Sequence, residues 1–158
     1  MNVTTALKGP FKRPVFTVIL SAIGLAGGAS AGLAAEAMPN ACPVDGCKVM
    51  IAEIKPSGDE LELTFEANFT PDLSKNHIHI WWGEQFTVEQ VSRNAETQHG
   101  VKQGKWHLTD DYPAYKTQGA VSTKVRGDAT TICVSVSDRD HNILDTNAYH
   151  CTDVGQYF

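Results

Sequence analysis

Apolar and polar positions alternate most cleanly along three stretches of the chain. Over residues 60–69, Leu61, Leu63, Phe65, Ala67 and Phe69 alternate with Glu60, Glu62, Thr64, Glu66 and Asn68. That is the period of a half-buried β-strand with one wet face. Over residues 76–82 the order is Asn-His-Ile-His-Ile-Trp-Trp. A strand there puts Ile78, Ile80 and Trp82 on a core face and His77, His79 and Trp81 together on the other. Over residues 131–137, Ile132, Val134 and Val136 oppose Thr131, Cys133, Ser135 and Ser137. Short strands of this kind, separated by turns, predict an all-β domain, specifically an antiparallel immunoglobulin-like sandwich.

The remaining segments are weaker in pattern. Residues 49–54 read as a first strand, broken by Pro56-Ser57-Gly58-Asp59, and residues 71–75 read as a turn. So short a link makes the 60–69 and 76–82 strands expected antiparallel neighbours, with the acidic face of one beside the histidine face of the other. Residues 84–105 form one long polar loop, in which Thr87-Val88-Glu89-Gln90 fits the capping box of a short helix. Trp106-His107-Leu108 is expected to touch down on the core, and Asp110-Asp111-Tyr112-Pro113 to turn again. Residues 120–126 are expected to be a strand, and 143–154 the last one, after a turn-rich loop at 138–142.

Residues 1–37 have the order of a secretory signal peptide: basic Lys8, Lys12 and Arg13, an apolar run over 15–25, then small residues. Ala29-Ser30-Ala31 and Ala35-Glu36-Ala37 both fit a cleavage site, so processing is expected after Ala31 or Ala37, leaving a single domain over 38–158. No span is expected in that mature chain. From Met38 onward ten Lys and Arg face seventeen Asp and Glu, a net charge of −7. An acidic domain without a basic cluster argues against nucleic-acid binding and against docking on anionic membranes. The four cysteines, Cys42, Cys47, Cys133 and Cys151, all follow the leader. Such a set predicts two disulfides and a secreted or periplasmic location. A turn at Pro43-Val44-Asp45-Gly46 brings Cys42 near Cys47, and a hairpin centred near His141 or Asn142 brings Cys133 opposite Cys151. Those two pairs are the expected ones among the three connectivities that four cysteines allow.

The His77-Ile78-His79 strand, the Trp106-to-Tyr115 loop and the terminal C-x17-C of Cys133 and Cys151 together resemble a group of small secreted bacterial β-sandwich domains without an established role. The likeness covers roughly residues 60–152, implies the sandwich and the Cys133–Cys151 pairing, and brings no activity with it. Tyr149-His150-Cys151 imitates the Y-x-C of immunoglobulin strand F, but its partner cysteine lies in the same hairpin and not on a distant strand.

The candidate chemistry gathers at 76–82. Alternate histidines on a strand lie about 6–7 Å apart and offer a metal two imidazoles from one face. Copper or zinc needs at least one more ligand, and the pool is His99, His107, His141, His150, Glu62, Glu66 and Glu84. Trp81 and Trp106, with His77 and His79, also make a binding face for a glycan, small ligand or partner protein. Cys42 and Cys47 lack the C-x-x-C spacing of thiol oxidoreductases. Asp138-Arg139-Asp140-His141-Asn142 has oxygen ligands at alternate positions but lacks the glycine and distal glutamate of an EF-hand calcium loop. From Met38 onward the sequence contains no G-x-S-x-G, H-E-x-x-H or glycine-rich phosphate loop. The leading expectation is therefore a non-enzymatic secreted binding or accessory domain, and the alternative a copper or zinc protein using His77 and His79.

Overall fold

A computed structural model describes residues 39–158; the signal-peptide expectation for 1–37 lies outside the described residues. Two antiparallel sheets carry the fold. The first holds β1 (Val49–Ser57), β2 (Glu60–Ala67) and β5 (Ala114–Lys116) in the order β1-β2-β5. The second holds β3 (His77–Trp82), β4 (His107–Thr109), β6 (Thr131–Ser137) and β7 (Tyr149–Asp153) in the order β4-β3-β6-β7. The only α-helix among the described residues is α1 (Ala95–His99). No helix among them is long and apolar enough to cross a membrane.

The main core takes side chains from both sheets. Leu61, Leu63 and Phe65 of β2 bury with Ile78, Ile80 and Trp82 of β3 and Ile132, Val134 and Val136 of β6. The β3–β6 register sets Ile78 opposite Val136, Ile80 opposite Val134 and Trp82 opposite Ile132, so the expected core face of each strand lines up with the other. Each fully buried aliphatic or aromatic side chain here contributes about 1.5–3 kcal/mol before chain entropy is subtracted.

Four local expectations are corrected. β2 and β3 are not neighbours but lie in different sheets. Each has an apolar face to bury, and facing sheets let those faces meet, which side-by-side pairing in one sheet does not. The first strand runs through Pro56 to Ser57, because β1 is an edge strand where proline breaks no shared ladder. Gly58, at φ +68°, takes the tight hairpin turn into β2. Residues 120–126 are not a strand but two 3-10 turns, Gly119–Val121 and Thr123–Val125. The Glu60 carboxylate draws that segment inward, accepting hydrogen bonds from Ser122 Oγ at 2.5 Å, Thr117 Oγ1 at 2.7 Å and Thr123 N at 2.9 Å. The last strand is also shorter than 143–154: Ile143 makes an isolated bridge to Ser137, and the chain then loops before β7 begins at Tyr149.

Both expected disulfides are present, Cys42–Cys47 and Cys133–Cys151. Cys133 sits directly opposite Cys151 in the β6–β7 register, so that bridge joins neighbours within one sheet. Gly83 packs against it, and a Cβ there would lie 2.8 Å from Cys133 Sγ.

Candidate metal centre

The outer face of the second sheet is covered, which the sequence pattern concealed. Every residue of β3 is buried. The cover is the 84–105 segment, expected as a long polar loop: a 3-10 turn at Val88–Val91, then α1. The capping-box motif is where it was expected, with Gln90 Oε1 accepting from Thr87 N at 3.0 Å. Val88, Val91 and Ala95 form a second apolar cluster with Trp81, Trp106 and Cys133. Trp81 is 1 % exposed and Trp106 4 %. An open aromatic platform is therefore absent at Trp81, although its edge borders a groove of about 680 Å³ with Phe86, Glu89 and Tyr149.

Under this cover three imidazoles converge. One ring nitrogen from each of His77, His79 and His141 lies within 4.8 Å of the others. His77 Nε2 and His141 Nδ1 are 3.0 Å apart. The His77 and His79 rings stand 5.2 Å apart on the strand, and His141 closes the triangle at 5.0 Å and 5.9 Å. The pleat sets the first two; a loop delivers the third.

Short polar side chains shape that loop. The Asp138 carboxylate accepts from the backbone N of Asp140 at 2.8 Å and of Asn142 at 2.9 Å, and also from Asn142 Nδ2. These bonds curl 138–142 tightly and set His141 at φ +66°, the one non-glycine residue among those described with positive φ. Such a backbone costs on the order of 1 kcal/mol for a residue with a Cβ. The cover holds the loop in turn: Arg93 N donates to His141 O at 2.8 Å, and Arg93 pairs with Asp140 at 3.2 Å.

His79 has a defined tautomer. Its Nδ1 lies 2.7 Å from the carbonyl oxygen of Val91, and a carbonyl only accepts, so Nδ1 carries the proton. Nε2 is then a bare lone pair, buried and without a hydrogen-bond partner. An imidazole oriented by a backbone carbonyl on one nitrogen, with the other free, is the usual arrangement of a metal-ligating histidine. Burial pulls His79 down to about 3, with Val91 opposing and the neighbouring His77 and His141 adding to the shift. Burial, reinforced by His141, also lowers His77. Both therefore remain neutral at pH 7, the form that binds metal. Ser137, across the ladder from His77, has a second buried polar atom without a partner, its Oγ.

The other members of the ligand pool lie elsewhere. His107 is opposite Ile80, on the core side of the sheet, with its ring 5.3 Å from Tyr115. His150 Nδ1 accepts from Ile51 N, and His99 ends α1 in solvent. Glu62 pairs with Lys55 in the first sheet, and Glu66 sits opposite Met50 there. Glu84 is tied to Thr130 and Thr131. Only His141 joins the pair. The Asp-x-Asp-His-Asn turn was the sequence signal for it; the Val91 carbonyl carries no side-chain signal at all. No protein-family model, curated protein or solved structure matches this chain.

Proposed function

We propose that this protein is an exported copper- or zinc-binding domain whose ion is held by His77, His79 and His141. The observation that carries this reading is the buried, unpartnered Nε2 of His79, on a ring that converges with the imidazoles of His77 and His141. A buried polar atom left without a hydrogen bond costs about 1–3 kcal/mol, and a bound cation removes that cost. Zinc–nitrogen bonds of about 2.0–2.1 Å place tetrahedral ligand nitrogens roughly 3.3 Å apart. The His77–His141 spacing of 3.0 Å lies near that value, and one nitrogen from each of the three rings falls within 4.8 Å of the others. Three imidazoles with no thiolate suit zinc and copper better than calcium or magnesium, which take oxygen.

An exposed histidine–tryptophan binding face for a glycan or partner loses support, because 84–105 covers it and Trp81 is buried. Export rests on the leader pattern and on two disulfides, which persist in oxidising compartments. The finer fold proposal is an immunoglobulin-like sandwich, similar in its H-x-H strand and terminal cysteine hairpin to small secreted bacterial domains.

Metal analysis of protein purified without chelator or affinity tag tests this reading. About one equivalent of copper or zinc is expected, lost in both the His77→Ala/His79→Ala and the His141→Ala variants with the β-sheet circular dichroism retained. No metal in the unmutated protein, even after exposure to Cu²⁺ and Zn²⁺, would sink it.

A further inference from the structure

Resting on that reading, we infer that the ion keeps an open fourth position, filled by a small exchangeable anion or hydroxide that enters beside Trp106. Three features of the site lead there. The convergent set contains three histidines and no fourth His, Cys, Asp or Glu among the described residues. Three protein ligands mark the open kind of zinc site, in which a non-protein ligand completes the shell; closed structural sites have four.

The second feature is charge. An imidazole that ligates a metal is uncharged, so a divalent ion held by these three side chains keeps its full charge in a largely buried site. Asp138, the carboxylate of the His141 loop, is not among the converging groups. It is committed to Asp140 and Asn142, where it shapes the loop. It therefore supplies no ligand to the three imidazoles. A buried uncompensated charge is costly, and an anionic fourth ligand reduces that cost directly.

The third feature is space. A pocket of about 300 Å³ adjoins the cluster, with His141 on its wall and Gln103, Gly104, Trp106, His107 and Leu108 around it. Trp106 links pocket to cluster from the other side, its ring 5.9 Å from that of His79. The volume is ample for a small anion or water. Gln103 and Gly104, both exposed, stand at the outer side.

The test uses the full mature domain loaded with Co²⁺, whose visible spectrum reports coordination where zinc is silent, or with Cu²⁺ if only copper is retained. Azide is the probe. A saturable change in the visible bands on azide addition is expected. Gln103→Trp, a surface change at the pocket mouth, is expected to retain the metal and weaken azide binding about tenfold. A metal-loaded protein whose spectrum ignores azide overturns the open position while leaving the metal site standing. Azide binding untouched by Gln103→Trp overturns the pocket as its route. Failure to take up cobalt, copper or zinc overturns both this inference and the reading beneath it.

Discussion

His79 joins sequence position to acid sensitivity at the scale of a single residue. In the metal-free fold it takes a proton only at about 3, whereas the unfolded chain takes one near the ordinary histidine value of about 6.5. Between those values the unfolded state binds the extra proton, so stability falls as pH drops below about 6.5, by up to ~1.4 kcal/mol per pH unit for one histidine. Burial lowers His77 and His107 as well, and both act in the same direction. Urea unfolding with chelator present, between pH 7.5 and pH 5, is expected to show this loss. His79→Gln, which cannot titrate, is expected to flatten the slope. An equally steep profile in that variant would contradict the buried neutral imidazole.

The 84–105 segment is the element on which the site depends. It buries Val88, Val91 and Ala95 against Trp81 and Trp106, offers Val91 O to His79, and holds the His141 loop through Arg93. Val91 is fully buried, so Val91→Ala is expected to cost about 1–3 kcal/mol of stability. Because the lost methyls lie beside the carbonyl that orients His79, metal affinity is expected to fall too, by about tenfold, as when an orienting partner is disturbed. Chemical denaturation and competition with a chromophoric chelator measure the two effects separately. The sequence marked this segment as polar and weakly periodic. Its three anchors are spaced for short 3-10 and α turns, too brief for a helical stripe to show.

At the scale of the whole molecule, the Cys133–Cys151 bridge ties β6, a central strand of the second sheet, to its edge strand β7. It closes a loop that contains His141. Replacing both cysteines by alanine is expected to lower stability by about 2–4 kcal/mol, read as a drop in the urea midpoint. The sequence by itself determined the β class, the faces of β2, β3 and β6 and both disulfide pairs, because strand period and local turns are short-range properties. It also placed His77 and His79 on one face, through the pleat alone. It did not determine that β2 and β3 part into different sheets, since that follows from how two apolar faces best bury each other. Nor did it pick His141 from seven candidate ligands, or show that Trp81 lies beneath a cover. Those were decided by tertiary structure, because the loop at 138–142 and the segment at 84–105 meet only when distant strands pair, and the contact that orients His79 belongs to a backbone carbonyl that every residue possesses.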